Sequence, residues 1–233
     1  MVALWDEAGE WFVDAYGVRS EDVVVIPNAR CTDTYRPPTA GERRAAREQF
    51  GIASDQQVVA VVGSLTSEKR VGLALAAIAK VEGAVALIVG DGPERSSLEA
   101  IAHEKLSERA IFTGVLDDVR PAYWAIDALL VTSRTEGMPG VVIEAAMSGV
   151  PVASTAVGAL SSMIDQGIPG WSLTTTSPTD LSGIVRAALS SSSVPIDPSL
   201  FGWPDVVERW IRLVEDVLGS EKIGPPSAYG SGS

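Results

Sequence analysis

The sequence predicts an α/β fold, a doubly wound parallel sheet of the Rossmann-like kind. Three observations predict it. Val-Val-Ala-Val-Val at 58–62, Ala-Val-Ala-Leu-Ile-Val at 84–89 and Ala-Leu-Leu-Val-Thr at 128–132 are continuous apolar runs. Strands buried on both faces read this way, whereas half-exposed strands alternate. Helical segments separate the runs, which is the order of βαβ units. Finally, the strands end in small-residue turns such as Gly63-Ser64 and Gly90-Asp91-Gly92-Pro93, each opening a helix.

The elements follow in order. Leu4, Ala8, Trp11, Phe12 and Ala15 at helical spacing predict a helix over 3–16, and Gly17 ends it. Val-Val-Val-Ile at 23–26 predicts a short buried strand, stopped by Pro27-Asn28. Residues 41–50 read as a charged helix. Strand 58–62 leads to a helix over 68–81, and strand 84–89 to a helix over 94–106. Ala-Ile-Phe at 110–112 is a fourth strand, a helix covers 119–125, and 128–132 is a fifth strand. Strands at 151–154 and near 171–173 complete the set, and a helix covers 178–190. A last helix over 203–218 carries Trp203, Val206, Val207, Trp210, Leu213, Val214 and Val217 on one apolar stripe.

Composition excludes several classes. A hydrophobic fraction of 46% in 233 residues is ample for a core. A formal charge of −12 argues against a nucleic-acid-binding surface, which needs a basic footprint. No apolar run reaches transmembrane length. The single cysteine, Cys31, permits no intrachain disulfide and fits a reducing cytoplasm. The single histidine, His103, has no cysteine near it, so a zinc site is not expected. An acidic chain that binds an anion must concentrate its few cations locally, which makes lone Lys and Arg residues in loops informative.

The most informative stretch is Glu136-Gly137-Met138-Pro139-Gly140-Val141, continuing to Glu144 and to Gly149-Val150-Pro151. Pro139 fits the first position of a helix, Gly149 its end and Pro151 its stop. Glu136 then lies in the loop before the helix and Glu144 in its early turns. The open N–H groups of the helix start suit a phosphate. A carboxylate on either side suits neighbouring hydroxyls, so the ligand would be a sugar–diphosphate–ribose. A Glu-x7-Glu pair alone also describes two solvated glutamates; flanking strands place this one at the ligand edge of a parallel sheet. A second candidate is Gly63-Ser64-Leu65-Thr66-Ser67-Glu68-Lys69-Arg70, between a strand and a helix. Gly63 lets backbone approach a ligand, and Lys69 reaches a diphosphate as a point charge. The plainer reading is an exposed Glu-Lys-Arg cluster. Asp117-Asp118 reads as helix capping, and no Asp-x-Asp metal motif occurs in the chain.

Glu136-Gly137-Met138-Pro139 with Glu144-Ala145-Ala146-Met147-Ser148-Gly149-Val150-Pro151-Val152 resembles the signature of the family-4 retaining glycosyltransferases, which have the two-domain GT-B fold. Pro27-Asn28-Ala29 through Tyr35-Arg36-Pro37 resembles their interdomain segment, and the Lys69 loop their Gly-Arg-Leu-x-x-x-Lys-Gly, with Ser64 in place of the Arg. Ser161 and Ser162 stand where that family often has Pro-Glu.

The resemblance implies the donor-binding half of a GT-B enzyme that transfers a sugar from a UDP- or GDP-sugar with retention, without a metal and without a cofactor. Lys69 and Glu136 would be catalytic. Gly63, Ser64, Lys69, Arg70, Gly114, Val115, Leu116, Glu136, Gly137, Met138, Pro139, Gly140, Val141 and Glu144 would line the donor site, with 114–116 at the base. The resemblance divides the chain into a helix and linker remnant of an N-terminal acceptor domain (1–22), a nucleotide-sugar-binding domain (23–200), a crossing helix (201–218) and a disordered tail (219–233). An acceptor-binding domain or chain would be the partner, in a cytoplasmic enzyme able to sit at a membrane surface. The stripe on 203–218 would face that partner or pack on its own domain. Two other readings stay open. One is a non-catalytic partner subunit, motivated by Ser64 and Ser162. The other is a related GT-B enzyme such as a nucleotide-sugar epimerase.

Overall fold

A computed structural model of the chain describes residues 1–191 and 196–218; the tail expected over 219–233 lies outside them. The elements run β1 (Val2–Ala3), α1 (Asp6–Tyr16), β2 (Val24–Val25), α2 (Ala40–Gln49), β3 (Val58–Val62), α3 (Val71–Ile78), β4 (Val85–Val89), α4 (Arg95–Leu106) and β5 (Ala110–Gly114). There follow α5 (Arg120–Ala125), β6 (Ala128–Val131), α6 (Gly140–Met147), β7 (Val152–Thr155), α7 (Leu160–Asp165), β8 (Gly170–Leu173), α8 (Pro178–Ser190) and α9 (Trp203–Leu218). The expected doubly wound sheet is present. It has six strands in the order β5-β4-β3-β6-β7-β8, and every pair is parallel.

The continuous apolar runs are explained by burial on both faces. Val58, Ala60, Val85, Leu87, Leu129 and Val131 pack with α5, α6 and α7 on one side. Their alternates Val59, Val61, Ala86, Ile88, Ala128 and Leu130 pack with α3, α4 and α8 on the other. From β3 the chain winds outward through β4 and β5, then returns to β6 and winds the other way. Ligands of such sheets bind at this reversal, beyond the carboxyl ends of the strands. The loops after β3 and β6 therefore meet where a site is expected.

Several elements differ from the sequence reading. The first helix begins at Asp6, because Val2–Ala3 is a strand paired in parallel with Val24–Val25. The strand expected over 23–26 thus lies in its own two-stranded sheet, outside the main one. The helix expected from 68 begins at Val71, because Arg70 takes a left-handed φ of 48°. A short helix over Leu160–Asp165 was not expected.

The charged helix α2 is more than a solvated face. Arg47 is 5% exposed and donates to the carbonyls of Ala125, Ala53, Ser54 and Gln56 and to Asp127. Arg43 reaches the other oxygen of Asp127 at 2.6 Å, and the backbone N–H of Val58 also donates to this carboxylate at 2.8 Å. The two arginines thereby tie α2 to the starts of β3 and β6. At the opposite end of α2, Thr39 and Glu42 form a capping box, and Arg36 grips Glu42 at 2.7 Å. The Arg36 hydrogen bonds, then that of the Thr39 backbone, lower the Glu42 pKa from 4.5 to about 2. Because the folded value is the lower one, Glu42 stabilises fully above its ordinary pKa and loses that effect as pH falls through about 2. The melting temperature of Glu42→Gln should therefore lie below wild type at pH 6 and meet it near pH 2.

Candidate functional site

The loops leaving β3 and β6 are stitched together. Thr132 Oγ1 donates to the carbonyls of Lys69 and Arg70 at 3.0 and 3.1 Å, and the Arg134 N–H donates to the Glu68 carbonyl at 2.8 Å. This backbone frame sets Lys69 beside Glu136, with Nζ 2.6 Å from Oε1. Ser133 donates to the same oxygen at 2.5 Å. The Glu136 side chain is 10% exposed and that of Lys69 30%, so the pair is largely desolvated but reached from the cleft. Gly63, Ser64, Lys69, Thr132, Ser133, Glu136 and Val141 line one concavity there.

Arg70 does not join Lys69. Its guanidinium donates to the carbonyls of Thr132 and Ser133 at 2.6 and 2.7 Å, beneath the loop. Arg70 has a left-handed backbone, and its side chain meets these carbonyls whereas that of Lys69 meets Glu136.

Helix α6 begins at Gly140 with Pro139 as its cap in extended conformation, one position earlier than the sequence reading had placed Pro139. No side chain caps this end. Glu144 lies in the second turn and is buried, yet both its oxygens are engaged. Arg30 Nε donates to Oε1 at 2.6 Å and the Tyr123 hydroxyl to Oε2 at 2.7 Å. Burial, followed by the Glu144 charge, pushes the Tyr123 phenol well above its ordinary pKa of 10.0, so it stays a donor. The segment after β2 lies against the same loop: Asn28 Nδ2 donates to the Met138 carbonyl at 2.8 Å. Sequence reasoning missed Asn28, Arg30 and Tyr123. The signal for Arg30 was a lone cation in a loop of an acidic chain.

The loop after β7 closes the far side. Ser162 donates to Glu7, and the Ala159 N–H to the Gly137 carbonyl at 3.0 Å. Gly158 has φ +55°, and a Cβ there would lie 2.1 Å from the Glu136 carbonyl oxygen. Gly158→Ala is therefore expected to lower stability by about 2–4 kcal/mol, combining left-handed strain with overpacking. It should also displace Glu136, with chemical denaturation and an altered Glu136 environment by NMR as the readouts. The Gly114–Leu116 segment stands off to one flank, at the end of edge strand β5, with Val115 76% exposed. It is held to the rest by the Gly90 N–H donating to the Gly114 carbonyl at 2.8 Å.

Among the described residues, the stripe of α9 is only partly covered. Val206 is buried, whereas Trp210 is 44% and Val217 74% exposed. Trp11 and Tyr16 of α1 are also exposed. No helix among the described residues is long and apolar enough to cross a membrane.

Comparison with known proteins bears on this arrangement. A family described as glycosyl transferases group 1 matches residues 56–191. The 2-deoxystreptamine glucosyltransferase of Streptomyces kanamyceticus is 32% identical over 161 residues, 66% of this chain and 41% of that protein. The D-inositol 3-phosphate glycosyltransferase of Mycobacterium bovis (strain BCG / Pasteur 1173P2) is 32% identical over 179 residues, 73% of this chain and 36% of that protein. The chain thus spans less than half the length of these relatives. Among solved structures, HepE of Anabaena in complex with UDP-glucose superimposes with a TM-score of 0.78 at 23% identity, over 93% of this chain and 63% of that one. WaaG, a glycosyltransferase of lipopolysaccharide biosynthesis, gives 0.70 at 23% identity, over 89% and 56%. The fold is that of a parallel-sheet domain of GT-B glycosyltransferases.

Proposed function

The chain belongs to the group 1 glycosyl transferases, and we propose from that premise that it is the donor-binding half of a retaining, family-4 type enzyme. The donor is a UDP- or GDP-sugar. One observation carries the reading: at the reversal of strand order, Lys69 and Glu136 meet beside the uncapped start of α6, and Glu144 stands one turn further along. Glu136, with the backbone of Gly137, Met138, Pro139 and Gly140, holds the sugar. Lys69 and the N–H groups of Gly140 and Val141 carry the diphosphate charge as the glycosidic bond breaks, which is electrostatic stabilisation of a leaving group without a metal. Glu144 takes the ribose hydroxyls through the acceptor positions that Arg30 and Tyr123 leave to it, since an ionised carboxylate has about four. Gly63 and Ser64 floor the cleft, and Gly114, Val115 and Leu116 flank the base.

The acceptor would come from a second, N-terminal domain or chain, to which residues 1–22 and the helix over 201–218 would be joined. The exposed apolar side chains of α1 and α9 supply a surface for it. Without that half, proximity between donor and acceptor cannot operate. The chain alone should therefore bind donor and transfer little or nothing.

A thermal-shift panel of nucleotide sugars, followed by product analysis with and without acceptor, tests this reading. At least one UDP- or GDP-sugar should raise the melting temperature and remain unchanged in the absence of acceptor. A panel without any shift would refute donor binding. An epimerised sugar without acceptor would place the chain among enzymes that act on the nucleotide sugar itself.

A further inference from the structure

Resting on the donor reading, we propose that Arg30 is the second cation of the diphosphate subsite. Glu144 holds the Nε edge of its guanidinium, and Nη2 is left to receive a phosphoryl oxygen at the start of α6.

The charge of the cleft motivates this. Lys69 already faces Glu136 at 2.6 Å. A diphosphate presents several anionic oxygens, more than the donors of one lysine can meet in a partly desolvated cleft. Arg30 is a second cation at the same helix start. It forms the matching pair with Glu144 at 2.6 Å, so the two carboxylates each hold one cation. Its side chain is 30% exposed, so a ligand at the start of α6 can reach it.

The position of the guanidinium is specific. Nε donates to Glu144 and Nη1 to the carbonyl of Ala29 at 2.9 Å. Nη2 lies over the first residue of α6, where a Cβ on Gly140 would come within 1.7 Å of it. Only glycine at 140 leaves room for this arginine. The backbone is pinned as well: the Arg30 N–H donates to the Phe201 carbonyl at 2.9 Å, and the Trp203 N–H to the Arg30 carbonyl at 3.1 Å. The fork is thus held from one edge by a carboxylate and presented from the other. A planar fork held in this way loses little further freedom when it meets an oxyanion.

A purely structural role, Arg30 serving only to neutralise Glu144, makes a different prediction. Titration of the full chain with UDP and uridine, or with GDP and guanosine where the panel's donor is a GDP-sugar, for wild type, R30Q and R30K, separates the two. R30Q keeps a donor amide for Glu144 and removes the charge. It should weaken UDP about tenfold or more and leave uridine unchanged, the size of effect one charge-assisted hydrogen bond gives. R30K should recover part of the UDP affinity. R30Q binding UDP as tightly as wild type, or losing UDP and uridine in equal proportion, overturns the proposal while leaving the donor reading in place. A wild-type chain that binds neither UDP nor GDP overturns both.

Discussion

Lys69→Ala is expected to weaken binding of a nucleoside diphosphate by about 10- to 100-fold while leaving the nucleoside itself nearly unaffected. The magnitude is that of a charge-assisted hydrogen bond, about 1.5–3 kcal/mol. The selectivity follows from position. Lys69 stands at the reversal of strand order, beside the uncapped α6 start, and the Gly114–Leu116 flank expected to meet the base is carried by a different strand. The substitution also leaves the Glu136 carboxylate with Ser133 as its remaining side-chain donor. Some stability will therefore be lost, and affinity must be compared at a temperature where both proteins are folded. Equal loss of UDP and uridine affinity would mean that Lys69 only supports Glu136.

The second large effect is on stability. Glu144→Ala removes the acceptor of both Arg30 and Tyr123 in one step. Tyr123 is fully buried, so its hydroxyl would be left without a partner, and Arg30 would lose its counter-charge. Removing this shared acceptor costs about 3 kcal/mol, chiefly because the Tyr123 phenol stays desolvated, while Arg30, 30% exposed, regains part of its hydration. For a chain of this size that is a fall in melting temperature of roughly 6–12 °C. Glu144→Gln, which keeps an oxygen for the Tyr123 hydroxyl, should lose less. A melting temperature unchanged in Glu144→Ala would show that this node contributes nothing to the fold.

These two residues also show what the sequence makes legible. The central strands β3, β4 and β6 are readable because burial on both faces demands continuous apolar runs, although the run at 23–26 has the same look and lies outside the main sheet. The Glu136 loop is readable because Val131 ends one such strand and Val152 begins the next. Side chains that meet across long stretches of chain leave no comparable trace. Arg30 reaches Glu144 over 114 positions, and Asn28 reaches Met138 over 110. Arg43 and Arg47 sit in a helix whose charge predicts solvent, yet both turn inward to Asp127 because the starts of β3 and β6 leave carbonyls to satisfy there. Arg70 stands beside Lys69 in sequence, yet its side chain meets the carbonyls of Thr132 and Ser133 whereas that of Lys69 meets Glu136. Val2–Ala3 is too short to carry a period at all, although its partner strand Val24–Val25 falls within the run expected over 23–26.

Calorimetric titration of the panel's best UDP- or GDP-sugar into wild type, Lys69→Ala and Glu144→Gln tests the assignment of the donor site most directly. Binding to wild type that is weakened at least tenfold in Lys69→Ala, and also reduced in Glu144→Gln, is the result this site predicts. Equal affinity in all three proteins would contradict it, and would move the donor away from the cleft between β3 and β6.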